Sequence, residues 1–323
     1  MVGLRTHRAR ALVAVAGMAA ALGAVTGRAA TRHDPWTVTS PDGALSARVG
    51  DHGGALSISV RRHGRQVLAT TLGPGSLHAA HARRDTIDES YATPAGKRRR
   101  HELSARRLTI TFPGGRRLEV LAAADGIAFR QADAGGRPTA WRAPPGTRAW
   151  LQSYRRDYEG HYNPIALRDV QAGDYGLPAL LDTGADTWAL LTESGLTREP
   201  AARLTVAKDH PGALAVTLPQ GESAPATSPW RVAIVGDLGM IVGSDLAESL
   251  GRPSRIRDTS WIHPGRVAWS WWSDPDSPGD RARQRAYVRA AAARGWQYVL
   301  LDAGWDPDSI PAIARYAARK ARR

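Results

Sequence analysis

Two short runs near the C-terminal end of the sequence place flat aromatic faces beside carboxylates. One is Trp271-Trp272-Ser273-Asp274 and the other is Asp302-Ala303-Gly304-Trp305. An indole ring offers an apolar face on which a pyranose can stack, and a carboxylate accepts hydrogen bonds from sugar hydroxyls. The combination suits a sugar subsite. Six of the eleven tryptophans, at 261, 269, 271, 272, 296 and 305, fall after residue 260, and this crowding favours ligand contact over core packing alone. Trp269 is the exception: in a strand it faces opposite to its neighbour, which assigns it to the core. Glycoside hydrolysis needs a pair of carboxyl groups across the scissile bond. Asp274 and Asp302 are read here as substrate-binding residues only.

Other chemistries are excluded by composition. The chain has no cysteine, so it carries no disulfide, thiolate zinc site, iron–sulfur cluster or thiol nucleophile. His78 and His81 have the spacing of one helix face, but no acid or further histidine completes a metal set; both read as surface residues. There is no Walker A loop, Rossmann fingerprint or Gly-x-Ser-x-Gly elbow. The 323 residues carry 44 Lys+Arg against 30 Asp+Glu, a formal charge of +14. The densest basic run, residues 97–101 with Arg106 and Arg107 beyond it, is not interleaved with aromatics. It reads as a solvated loop, and nucleic acid is not an expected partner.

The elements that must position these residues change character along the chain. Residues 1–29 read as a secretory signal. Arg5, Arg8 and Arg10 precede a small, apolar stretch at 11–25, and Gly27-Arg28-Ala29 offers a cleavage site. The apolar run is too short for a membrane span. The mature chain is therefore expected to be secreted, with no stable membrane anchor. From 34 to about 242 the pattern is one of short alternating runs broken by Gly, Pro and Asp, among them 36–40, 44–49, 55–60, 65–69, 107–112 and 116–122. Such successive hairpins predict an antiparallel β-sandwich. After Gly243 the period changes: a short helix at 244–250, a buried strand at 266–272, a helix at 281–294, a strand at 297–301 and an amphipathic helix at 310–322. Strand, helix, strand, helix opens a parallel α/β architecture, with the aromatic–acid runs at its strand ends.

These segments resemble glycoside hydrolase family 97, the calcium-dependent α-glucosidases and α-galactosidases related to the starch-utilisation enzyme SusB. The resemblance rests on Ser40-Pro-Asp-Gly43, Asp125-Gly-Ile-Ala-Phe-Arg130, Tyr158-Glu159 with Tyr162, and Tyr175-Gly-Leu-Pro-Ala-Leu180. It continues through Leu190-Leu-Thr-Glu-Ser-Gly-Leu196, Ser228-Pro-Trp-Arg231, Asp258-Thr-Ser-Trp-Ile-His-Pro-Gly265, Trp269-Ser-Trp-Trp272 and Tyr298-Val-Leu-Leu-Asp-Ala-Gly-Trp305. Each motif alone is weak; their number and order carry the resemblance.

The resemblance implies a multidomain α+β chain. A galactose-mutarotase-like super-sandwich at 34–257 is followed at 258–323 by the first two units of a truncated (β/α)8 barrel. It implies calcium as cofactor, with Glu193 as the ligand from the sandwich; outside that motif Glu193 reads as a surface acid at a strand end. It places the 154–162 segment, with Glu159, on the sugar-binding side, where a hairpin tip with exposed tyrosines is an equal alternative. Trp271, Trp272, Asp274, Asp302 and Trp305 are the substrate-binding candidates. The general acid and its carboxylate partner are expected beyond the C-terminus, so the chain is expected to be an inactive N-terminal fragment of an enzyme acting on oligosaccharides or α-glycosides. Two other readings compete: a carbohydrate-binding sandwich without hydrolysis, and a basic binder of anionic polymers.

Overall fold

Alternation along the strands sets the architecture. In Ala55–Arg62 the side chains of Leu56, Ile58 and Val60 are buried, while Ser57 and Ser59 between them are partly open. One face of the strand thus points into a core, as period-two patterning requires. The turns are supplied where the sequence permits a left-handed backbone: His63 and Gly64 both have positive φ, 48° and 79°, and close the next hairpin in two residues.

The structure, a computed structural model, describes residues 36–93, 96–132, 139–207 and 210–321. The expected signal segment, 1–29, lies outside the described residues. The chain divides into two units, 1–252 and 253–323.

The first unit is the antiparallel β-sandwich that the hairpin pattern predicts. Among the described residues its two sheets have eight and nine strands. Trp36–Thr39 is the edge strand of the eight-stranded sheet at one end, and Gly173–Tyr175 is its edge at the other. The nine-stranded sheet runs from Asn163–Ala166 at one edge to His81–Ala92 at the other. The main core joins inward residues of both sheets, including Ile58, Leu68, Leu108, Ile110, Phe129, Leu181 and Leu204.

The outer face of the nine-stranded sheet buries a smaller cluster, with Leu121, Trp230 and Val232 beneath Ile241 and Leu246. Those last two come from short helices, Leu238–Gly243 and Leu246–Ser249. The expected helix at 244–250 is realised as Leu246–Ser249, and an unexpected helix, Leu238–Gly243, precedes it; between them the Ser244 hydroxyl donates to Asp125 Oδ2 at 2.6 Å. Gly126 explains itself here: a Cβ would stand 2.6 Å from Leu246 Cδ2 and 2.7 Å from the Ala233 carbonyl oxygen.

The basic run is a solvated loop only in part: Arg99 and Arg100 are exposed, whereas Lys97, Arg98 and His101 are engaged. Lys97 and Arg98 donate to the carbonyls of Ser244 and Gly243, and Arg98 lies 3.7 Å from Asp245. His101 is buried, with Nδ1 2.6 Å from Asp245 Oδ2 and Nε2 2.9 Å from Thr93 Oγ1. The run fastens the helix pair to the sheet, a use that charge pattern alone does not distinguish from solvation. His81 likewise belongs to a strand, not a helix face.

The second unit contains two parallel strands, Val267–Trp269 and Tyr298–Leu300, each followed by a helix, Arg281–Ala293 and Ile310–Ala321. The first strand is shorter than the expected 266–272, because the backbone turns at Ser270: the amides of Ser273 and Asp274 both donate to its carbonyl. Trp271 and Trp272 therefore lie in a turn beyond the strand. Among the described residues no barrel closes, and no helix is long and apolar enough to cross a membrane.

Candidate functional site

In the second unit, a buried polar knot fixes the end of the first strand. Ser270 Oγ accepts from Ser277 Oγ at 2.7 Å and from Gln284 Nε2 at 2.8 Å, and all three residues are fully buried or nearly so. The knot ties the turn to the Arg281–Ala293 helix, which Asp280 caps through the amides of Ala282 and Arg283. From this anchored turn the tryptophans project. Trp269 and Trp272 rings lie 5.4 Å apart and tilted by 47°, and Trp269 and Trp271 stack at 6.3 Å. Trp272 is 77% exposed, so a broad indole face is open.

Asp302 ends the second strand beside this cluster. Its Oδ2 accepts from Trp269 Nε1 at 2.8 Å and its Oδ1 from the Ala303 amide at 2.6 Å. Trp269 is thus no core residue: it is half-buried and joins the aromatic group to the carboxylate. The sequence carries no signal for this bond, since Asp302 lies 33 residues away and strand alternation points Trp269 inward. Trp305 follows, 49% exposed, its amide donating to the Asp302 carbonyl. Asp274 is held in an ion pair with Arg283. Trp269, Trp271, Trp272 and Asp302 form one group through ring contacts and the Trp269–Asp302 hydrogen bond; among the described residues no ring contact or hydrogen bond joins Trp305's ring or Asp274's carboxylate to it. The arrangement presents aromatic stacking surface and an anchored acceptor, which is what a pyranose requires.

In the first unit, Glu159 lies on an exposed loop. Its amide donates to Asp157 Oδ1, and Asp157 is clasped by Arg155 through two hydrogen bonds of 3.1 and 2.9 Å. That guanidinium holds the Asp157 carboxyl below its usual range. Tyr158 has a left-handed backbone, φ 57°, and meets Tyr154 edge-on at 5.8 Å. The Arg203 guanidinium covers the Tyr154 ring at 3.7 Å. Burial raises the Tyr158 hydroxyl above its ordinary pKa, Tyr154 and the Glu193 charge add to the rise, and Arg203 opposes it. The loop thus combines aromatic and charged groups, with Glu159's carboxylate turned to solvent.

Glu193 is not a surface acid. Its side chain is 6% exposed, opposite Arg231 in the ladder between Trp188–Ser194 and Trp230–Gly236. Oε1 accepts from the Ala202 amide at 2.8 Å and Oε2 from the Arg231 guanidinium. Burial lowers Arg231's pKa and Glu193 resists that shift. Calcium takes six to eight oxygen ligands. Here one carboxylate is present, both its oxygens are engaged, and no group of three or more His, Asp or Glu that could hold a metal occurs among the described residues. As they stand, these residues do not fit a calcium site.

Comparison with known proteins places this geometry. Residues 38–253 match the family described as Glycosyl-hydrolase 97 N-terminal. The chain is 34% identical over 317 residues to a "Probable retaining alpha-galactosidase" of Streptomyces bingchenggensis, covering 88% of this chain and 49% of that protein. It is 27% identical over 336 residues to a "Retaining alpha-galactosidase" of Bacteroides thetaiotaomicron, covering 84% and 50%. Among solved structures, a glycoside hydrolase family 97 enzyme from Pseudoalteromonas sp. strain K8, in complex with acarbose, superposes with a TM-score of 0.72. That match has 21% identity and covers 88% of this chain and 53% of the other, so it speaks for the fold. The chain spans about half the length of the curated relatives it matches.

Proposed function

Since the chain belongs to glycoside hydrolase family 97 through its N-terminal domain, we propose that it supplies the sandwich and the first sugar-facing strand ends of a retaining α-galactosidase. The observation that carries this reading is the tryptophan cluster joined to Asp302 at the ends of two parallel strands. Both curated relatives bear the α-galactosidase name, which favours galactosides over glucosides as substrate. The two strand–helix units are proposed as the opening of a (β/α)8 barrel, in which sites lie at the C-terminal strand ends. Residues 1–29 are proposed as the secretory signal.

In this reading Trp272 stacks on the apolar face of the sugar and Asp302, fixed by Trp269, accepts from its hydroxyls. Retention requires two carboxyl groups about 5 Å apart, one as nucleophile and one as acid and then base. Neither role is assigned to a residue of this chain. Calcium, which the family resemblance implies with Glu193 as one ligand, is no part of this proposal, because the Ala202 amide and Arg231 already engage both oxygens of that carboxylate.

The test is galactose and glucose titration of the 323-residue chain, followed by tryptophan fluorescence, together with p-nitrophenyl α-galactoside turnover. Galactose is expected to bind more tightly than glucose, and Trp272→Ala to weaken it about tenfold, the scale of a stacked aromatic contact. No turnover is expected. Galactose affinity unchanged by Trp272→Ala removes the sugar subsite, and turnover by the chain places the catalytic carboxyls within it.

A further inference from the structure

Where the edge strands Trp36–Thr39 and His81–Ala92 close the same side of the two sheets, a groove of about 320 Å³ opens between them. It lies at the opposite sheet edge from Asn163–Ala166 and Gly173–Tyr175, which flank the Tyr154–Tyr162 segment. Its lining includes Thr37, Thr39, Arg84, Thr86 and Arg106.

The register explains why these side chains converge. Arg106 pairs with Thr86 and Leu108 pairs with Arg84. Leu108 belongs to the inner core, so period-two alternation puts Arg106, Arg84 and Thr86 on that same inner face. The strand pair has run past the apolar core, and its inward positions are now arginine and threonine. Arg84 and Arg106 are diagonal neighbours on this face, within reach of one another for long side chains.

Both arginines are exposed, and among the described residues neither makes an ion pair or hydrogen bond through its guanidinium. The nearest acid in the groove, Asp85, is committed elsewhere. It takes Arg107 through two hydrogen bonds of 2.9 and 2.6 Å and Arg83 at 3.0 Å. Asp88, the other diagonal neighbour of Arg106 on this face, accepts from the Ser104 hydroxyl at 2.8 Å and forms no ion pair among the described residues; two like charges left side by side oppose folding. An oxyanion between two guanidinium forks reverses the sign of that interaction through bidentate, charge-assisted bonds. Threonine hydroxyls at 37, 39 and 86 can donate to or accept from hydroxyls beside the anion. No aromatic ring lines the groove, so nothing there stacks a nucleic-acid base.

We propose that this groove binds the oxyanion groups of an acidic polysaccharide, a carboxylate or a sulfate ester, between Arg84 and Arg106. The groove shares no residue with the tryptophan–Asp302 group, and the proposal does not depend on the glycosidase reading. It would hold the protein on a charged glycan.

The experiment is calorimetric titration of the chain with tetragalacturonate and with a heparin-derived tetrasaccharide, at low and at physiological salt. A neutral galactan oligomer and a short DNA duplex are titrated alongside. At least one acidic saccharide is expected to bind, the tighter one naming carboxylate or sulfate as the natural group. The double variant Arg84→Gln/Arg106→Gln is expected to lose affinity about tenfold or more, the scale of a lost charge-assisted hydrogen bond. It is also expected to unfold no earlier on heating than the parent, because a like-charge pair has been removed, which separates loss of site from loss of fold. Arg99→Gln/Arg100→Gln removes the same charge from exposed positions of the same hairpin and should retain affinity. Binding of neither acidic saccharide, equal loss in both double variants, or tighter binding of the duplex than of either saccharide overturns the proposal.

Discussion

Glu193 and Arg231 show how much one residue's role depends on its immediate partners. A carboxylate and a guanidinium taken out of water together are tolerated because each satisfies the other, and the Ala202 amide takes the remaining oxygen. Removing one partner leaves an uncompensated buried charge. Glu193→Ala is therefore expected to destabilise the sandwich by about 3–5 kcal/mol. Adding Arg231→Met to it should recover most of that loss, measured as denaturant midpoints. Equal stability of parent and single variant would show the pair to be solvated. The adjoining loop holds a milder case. Glu199 Oε2 accepts from the amides of Thr197 and Arg198 at 2.8 and 2.9 Å, and these bonds lower its pKa from 4.5 to about 2. A carboxyl with a depressed folded value stabilises fully above its unfolded value and loses that contribution as pH falls. The turn at 197–199 should hold above pH 4.5 and loosen as pH drops through about 2. Carboxyl titration by NMR, with exchange of the Thr197 amide, checks both the value and the sign.

At the scale of elements, the Leu238–Ser249 helix pair depends on contacts that come from far away in the chain. Asp245 meets His101 and Arg98, and Ser244 meets Asp125 and Lys97. Asp245→Ala leaves buried His101 Nδ1 without its partner, and the cost of such a group is about 1–3 kcal/mol. The amides of Ser249 and Leu250, bonded to Asp245 and Leu246, are expected to exchange faster in that variant while the Arg117–Ala123 strand keeps its protection. The same contacts mark what the sequence could and could not disclose. Strands with an apolar face, such as Ala55–Arg62 and Trp230–Gly236, announce themselves through alternation or a continuous apolar run. His81–Ala92 is almost wholly exposed and polar, so no periodicity betrays it; its register with Arg100–Thr111 holds it in place. The run after Ala268 looked like strand because tryptophan suits strands, yet Ser270 finds better partners in Ser277 and Gln284 and the chain turns. Trp271, Trp272 and Asp302 stand out as candidates from type and spacing, and they lie together around Trp269. Trp269 itself does not stand out, because its N–H partner lies 33 residues away.

At the scale of the whole chain, the two units differ in what holds them together. The sandwich closes a core between eight and nine strands, with a second cluster on one outer face. The unit from Pro253 has one parallel strand pair of three residues each, and two-stranded sheets are marginal without further burial. Of its strand side chains Ala268 is buried, while Val267, Tyr298 and Leu300 are each more than two-fifths exposed. Its firmest internal ties are the Ser270–Ser277–Gln284 knot and the contact between the helices Arg281–Ala293 and Ile310–Ala321, in which Val288, Ala291 and Ile313 are buried. Local stability follows buried apolar contact and protected backbone bonds. Amides of the strand pair, such as those of Val299 and Leu300, are therefore expected to exchange by local opening, well before those of Val120 and Leu121 in the sandwich. The Gln284 amide, held in the first helix beside the knot, should fall between them. Hydrogen exchange read by mass spectrometry on the intact chain makes the comparison under one condition. Protection of Val299 and Leu300 equal to that of Val120 and Leu121 would mean that the strand pair is as firmly held as the sandwich core, and the expectation of weak local stability would fail.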